Sequence, residues 1–407
     1  MLENINIHSA PRRLCGNCLP EIPFGLKDLN QELEQRKARC LYRARRISDG
    51  PQQPEMVVDG RAVVSFCSND YLGLANHPDV KAAFIRGIRQ YGAGSGAAHL
   101  INGHSRAHHA LEEELADFSG YPRALLFSSG YMANIGLAQA LVGKGDTVLE
   151  DRLNHASLLD GGLLSGARLM RYQHNRAKDL EQKLASRTQG ERLVMTDGVF
   201  SMDGDIAELP ALAQSCERND AWLMVDDAHA IGVLGEQGRG TLEYHGVLTD
   251  DVPIYMATLG KALGTAGAFI AGSEALIETL IQRARSYIYT TASPPAVAEA
   301  TRASLALVKT QPQLRARLTA NIRYFRRCCE QAGIALSDSQ TAIQPIIIGD
   351  SAETVALSER LLARNILISA IRPPTVPEGT ARLRITLSAG HQQAHIDKLV
   401  AELSNLK

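Results

Sequence analysis

Seven short apolar runs, spaced through the middle of the chain and separated by helix-compatible stretches, most narrow what it can fold into. They fall at 124–127, 147–150, 169–172, 193–196, 222–225, 254–257 and 267–271. Each is long enough for a buried strand and too short for a globular helix. Stretches such as 131–141 and 209–219 carry helical spacing between them. Strand and helix in alternation predict an α/β fold with a mostly parallel sheet covered on both faces.

In such sheets ligands bind beyond the carboxyl ends of the strands. The run at 222–225 ends in Asp226-Asp-Ala-His229, and the run at 254–257 ends in Thr258-Leu-Gly-Lys261. An acid, a histidine and a lysine are thereby expected at one sheet edge. A pyridoxal phosphate enzyme needs that set, a lysine for the aldehyde and an acid for the pyridine nitrogen. Taken one at a time, each residue reads better as a helix cap or a solvated charge, and only their placement at two successive strand ends favours the site. Ser128-Ser129-Gly130-Tyr131 lies between the first run and its helix, where main-chain N–H groups can hold a phosphate.

The 407 residues, 45% hydrophobic and 21% charged, allow a large core and several domains. A net charge of −1 gives no field favouring nucleic acid or an anionic membrane. No apolar run approaches the ~20 residues that span a bilayer, and no secretory signal pattern opens the chain. Seven cysteines, an odd number, fit reduced thiols in the cytoplasm. Cys15-Gly-Asn-Cys18 has redox or zinc-knuckle spacing but no second pair to complete it. Three close histidines, His104, His108 and His109, read as capping and surface residues, so no metal is expected.

The flanks are less regular. Residues 1–24 read as an irregular arm and 26–46 as a charged helix with a basic end. Tyr91-Gly-Ala-Gly-Ser-Gly96 follows a helical stretch at 80–89 and not a strand, which argues against a dinucleotide fingerprint. Beyond Pro294-Pro295, 296–332 reads as one long helix, and 343–349 and 381–387 as strands of a smaller α+β domain. The division expected is an N-terminal arm and helix at 1–65, a large cofactor-binding domain at 66–295 and a small domain at 296–407.

Eight blocks in order then resemble one family. They are Ser68-Asn-Asp-Tyr-Leu-Gly73, Ser129-Gly-Tyr131, Asp151-Arg-Leu-Asn-His-Ala-Ser157, Asp197-Gly-Val-Phe-Ser-Met-Asp-Gly204, Asp226-Asp-Ala-His229, Leu234-Gly-Glu-Gln-Gly-Arg-Gly240, Leu259-Gly-Lys261 and Ala370-Ile-Arg-Pro-Pro-Thr-Val-Pro377. From about residue 26 onward the chain resembles the α-oxoamine synthases, a branch of the fold-type I pyridoxal phosphate enzymes. The last block, followed by Ala381-Arg-Leu-Arg384, resembles the branch members of biotin biosynthesis. That implies decarboxylative condensation of L-alanine with a pimeloyl thioester, carried on coenzyme A or an acyl-carrier protein, in a cytoplasmic homodimer with shared active sites.

The resemblance also implies roles. Lys261 bonds the cofactor's aldehyde and later moves the Cα proton. Asp226 pairs with the ring nitrogen, His155 stacks on the ring, and His229 and Ser201 lie near its phenolic oxygen. Gly130, Tyr131 and Thr258 hold the phosphate, joined by Thr290 and Thr291 of the neighbouring subunit. Arg372 grips the substrate carboxylate with Asn69 nearby, and Arg43 and Thr375 contact the acyl substrate. The nearest rivals are siblings: 2-amino-3-ketobutyrate ligase, 5-aminolevulinate synthase and serine palmitoyltransferase. More distant ones are a dinucleotide-binding module built on Gly92, Gly94 and Gly96, and a cofactor-sensing regulator without turnover.

Overall fold

The structure is a computed structural model that describes residues 28–186 and 189–405. The cysteine pair at 15 and 18 and the arm at 1–24 therefore lie outside the described residues. The chain forms two units, Met1–Arg43 and Ala44–Lys407. In the first, the helix is Leu29–Ala38, shorter than the 26–46 expected. Asp28 caps it by accepting from Asn30 N–H and Gln31 N–H. None of its residues is buried. Beyond Ala38 no apolar stripe would hold further helical turns against a core, and propensity alone does not sustain them.

The second unit carries fourteen strands among its described residues: β1 Ser48–Asp49, β2 Glu55–Val58, β3 Arg61–Ser65, β4 Arg123–Phe127, β5 Thr147–Asp151, β6 Arg168–Tyr172, β7 Arg192–Asp197, β8 Trp222–Asp226, β9 Ile254–Thr258, β10 Ala268–Gly272, β11 Ile343–Gly349, β12 Ile366–Leu367, β13 Ser369–Ile371 and β14 Ala381–Thr386. All seven apolar runs fall in one sheet, in the order β4-β10-β9-β8-β7-β5-β6. Strands β9-β8-β7-β5-β6 are parallel, while β10 runs antiparallel between β4 and β9. The expected parallel-rich α/β sheet is thus present.

Residues along the inner strands such as β7, β8 and β10 are buried on both faces, which is why they read as continuous apolar runs and not as alternation, while the edge strand β6 is half-exposed. One side packs Leu149, Val194, Leu223, Val225, Tyr255 and Phe269, and the other Val148, Leu193, Met195, Met224, Met256 and Ile270. Each such side chain contributes about 1.5–3 kcal/mol through burial.

A three-stranded antiparallel sheet, β11-β14-β13, and a four-stranded one, β1-β2-β3-β12, complete the unit. The stretch 296–332 is two helices, Pro295–Thr310 and Gln313–Gln331, and not one. Pro312 has no N–H to continue the first helix and sits before the second as its cap residue. The glycines at 92–96 follow the helix Pro78–Tyr91, so the dinucleotide reading has no strand to start from. Among the described residues no helix is long and apolar enough to cross a membrane.

Candidate active site

The strand ends gather the chemistry. Asp197 and Asp226 are register partners at the ends of β7 and β8, and Thr258 ends β9 next to them. Past Thr258 the chain turns through small residues to Lys261. Gly264 makes that turn possible: it sits at φ +66°, and a Cβ there would collide with the backbone of Leu74 and Ala75.

Lys261 is half-buried, with Nζ 2.8 Å from His229 Nε2. The other ring nitrogen of His229 lies 2.7 Å from the Tyr71 hydroxyl. Burial pulls Lys261 down to about 8, against the raising pull of Asp226 and Asp197. Burial, then the neighbouring Lys261, holds His229 well below the usual imidazole range, so it is neutral. A lysine so placed carries a usable lone pair near neutral pH, as a nucleophile or base requires.

Asp226 is buried, accepting from Asn134 Nδ2 at 2.8 Å and from Ala228 N–H at 3.0 Å. Asn134 Nδ2 also reaches Ser157 Oγ, 2.8 Å away, and that hydroxyl lies 2.7 Å from His155 Nδ1. His155 caps the helix Ala156–Ser165, and its own N–H donates to Asp197 Oδ2 at 2.7 Å. Burial lowers His155, leaving a neutral flat ring. Burial, then the facing Asp226, push the Asp197 carboxyl well above the usual carboxylate range.

Sequence reasoning gave Arg384 no role. It is 6% exposed, donates to Ser201 O at 2.6 Å and to Asn69 Oδ1 at 3.3 Å, and its charge lowers both Lys261 and His229. Tyr71, Asn134 and Asp197 were missed as well. Each acts through a partner far away in sequence, and the only signal was that Asp197, Tyr71 and Asn69 fall in blocks already singled out.

Ser129 caps the helix Gly130–Leu141, whose first-turn N–H groups, those of Gly130 and Tyr131, have no carbonyl of their own helix behind them. The Tyr131 hydroxyl bonds Asp160. Thr258 Oγ1 donates to Gly267 O at 3.0 Å. Thr375 N–H donates to Arg372 O, in the loop after β13. Ser369 lies opposite Arg384, so Arg372 is about 10 Å further along the strand direction. Thr291 is exposed and bridges Ala98, and among the described residues neither it nor Thr290 hydrogen-bonds the Lys261 network. Arg43 belongs to the separate first unit.

This donor set fits the expected cofactor. A reactive amine suits an aldehyde, a buried carboxylate suits a protonated ring nitrogen, and a helix start suits a phosphate. Asn134 Oδ1, buried and without a partner, lies beside that carboxylate.

The model of the family "Aminotransferase class I and II" matches residues 61–403. An 8-amino-7-oxononanoate synthase of Thioalkalivibrio sulfidiphilus is 63% identical over 379 residues, 93% of this chain and 97% of the relative. Among solved structures, the Francisella tularensis 8-amino-7-oxononanoate synthase aligns with TM-score 0.74 and 34% identity over 84% of this chain and 97% of the other. A lysine-to-alanine variant of a serine palmitoyltransferase from S. paucimobilis, with a bound PLP–myriocin aldimine, aligns with TM-score 0.88 and 29% identity, over 93% and 96% of the two chains. The chain belongs to the 8-amino-7-oxononanoate synthases, pyridoxal-phosphate-dependent acyl-transferring enzymes of biotin biosynthesis within aminotransferase class I and II.

Proposed function

We propose that the substrates are L-alanine and a pimeloyl thioester, and that the residues around Lys261 carry the reaction. The observation that supports this most is the half-buried Lys261 amine, held at about 8 beside neutral His229 and on the same sheet edge as Asp226. In the net reaction a bond forms between alanine Cα and the acyl carbon. The thioester C–S bond and the bond from Cα to the carboxylate break, releasing thiol and carbon dioxide.

When bound, pyridoxal phosphate supplies the electron sink for negative charge at Cα. Lys261 Nζ takes the Cα proton and returns it after carbon dioxide leaves. Asp226 keeps the ring nitrogen protonated, a task for a carboxylate and not an amide. His155 offers its neutral face to the ring, and His229 and Ser201 serve the phenolic oxygen. The amides of Gly130 and Tyr131, with Thr258 and with Thr290 and Thr291 of a second copy, hold the phosphate, which makes the enzyme a homodimer.

Arg384 takes the alanine carboxylate, since its guanidinium lies close enough to depress Lys261 and already meets Asn69. Arg372, Thr375 and Arg43 are left for the acyl substrate, with Arg372 on its terminal carboxylate. The domain division at 66–295 and 296–407 has the support that the seven-stranded sheet falls within the first and the three-stranded sheet within the second. A cytoplasmic location fits the free thiols of Cys67, Cys216, Cys328 and Cys329.

Product mass spectrometry with L-alanine and pimeloyl-CoA tests the reading. The expected product is 8-amino-7-oxononanoate; turnover only with glycine or serine, or only with other acyl chains, overturns the substrate assignment. In the same assay Arg384→Lys should raise the alanine KM roughly 10- to 100-fold, the worth of a paired charged hydrogen bond. The thioester KM should move far less. Equal change in both contradicts the role given to Arg384.

A further inference from the structure

We propose that His104, His109 and Glu112 form a binding site for a divalent zinc-type metal ion, apart from the Lys261 site. His104 Nε2 lies 3.4 Å from His109 Nδ1 and 3.8 Å from Glu112 Oε2. The three ligand atoms all lie within 4.8 Å of one another. Zinc bonds of about 2.0–2.1 Å at tetrahedral angles set ligand atoms about 3.3–3.4 Å apart, so the His104–His109 pair is at coordination spacing and the carboxylate must close in to join it. As a hydrogen bond between two ring nitrogens, 3.4 Å is long.

The surroundings are those of a metal site. Ligating histidines donate their other ring N–H to an acceptor that fixes the ring. His104 Nδ1 lies 3.0 Å from His99 Nδ1, and His109 Nε2 lies 3.4 Å from Glu113 Oε1. Glu112 Oε1 accepts Leu126 N–H at 2.9 Å, which leaves Oε2 of this mostly buried side chain turned to His104. His109 and Glu112, three residues apart on the helix Arg106–Ser119, share one face, and His104 precedes the helix.

The first turn of that helix is electropositive and disfavours a cation, so the ion must be held by Glu112 in its ionised form, with any proton released on binding. Two histidines and one carboxylate leave a fourth position for water, and His109, half-exposed, opens it to solvent. The alternative trio of His99, His104 and His108 is poorer. Both His108 nitrogens are engaged: Nδ1 accepts from Ser105 N–H, and Nε2 donates to Ser293 O. The fully buried His108 is thus a capping residue as the sequence suggests, though not a surface one.

The test is equilibrium dialysis of chelator-stripped holoenzyme against Zn²⁺, with Co²⁺ as a spectroscopic substitute. One ion per chain and a tetrahedral Co²⁺ visible spectrum are expected. His109→Ala and Glu112→Gln should each weaken binding at least about 100-fold, and Glu113→Gln about 10-fold. Glu112→Gln keeps the acceptor for Leu126 N–H, and retained visible absorbance of the bound coenzyme certifies the fold of each variant. Absence of stoichiometric Zn²⁺, or binding undiminished in both ligand variants, overturns the proposal.

Discussion

Lys261→Ala should lose turnover by at least about 10⁴-fold, because the side chain has two jobs in this account. Proton transfer by a positioned base is alone worth about 10²–10⁴-fold. The covalent hold on the coenzyme goes with it. No neighbour can substitute. His229 is held neutral but stays tied to Tyr71, and His155 has its Nδ1 turned to Ser157. The folded variant should bind pyridoxal phosphate through its phosphate and ring contacts but without the visible absorbance of a lysine adduct. Thiol release above a few per cent of the parent rate would remove Lys261 from its role.

Asp226→Asn should cost roughly 10²–10⁴-fold, matching the 3–5 kcal/mol lost when one partner of a buried charge pair is removed. The shape is nearly unchanged, so packing cannot explain the loss. The hydrogen-bond pattern is also against the amide. Both carboxylate oxygens accept, one from Asn134 Nδ2 and the other from Ala228 N–H. An amide must turn its NH₂ toward one of those donors, leaving a buried mismatch. Pre-steady-state kinetics should place the loss in Cα proton removal, with coenzyme affinity reduced less. Unchanged proton removal would sever Asp226 from the ring nitrogen.

Six of the seven strands were legible because strands buried along most of their length write themselves as short apolar runs; β6, a half-exposed edge strand, was legible from its place in the rhythm. The chemistry at their ends was legible because Asp226 and Thr258 each close such a run, with Lys261 three residues beyond. The helix break at Gln311 and Pro312 is legible only from the proline, because the helical spacing on either side of it runs on unchanged. The helix expected at 26–46 stops at Ala38, since charge without an apolar face gives it nothing to pack.

Pairings across the chain were hidden. Arg384 meets Asn69 over 315 positions, Asn134 meets Asp226 over 92, and Tyr71 meets His229 over 158. No local pattern encodes contacts of that range; the sheet order and the packing of β14 create them. The histidines at 104, 108 and 109 read as capping and surface residues because their sequence spacing shows no partner cluster, and only the turn into the helix Arg106–Ser119 brings His104 and His109 to Glu112.

The most direct measurement is borohydride reduction of the holoenzyme followed by proteolysis and peptide mass spectrometry. A reduced pyridoxyl mass on the peptide containing Lys261, and on no other lysine, is the predicted result. A label on a different lysine, or none on a protein that turns over, would contradict the central claim that this half-buried amine carries the coenzyme.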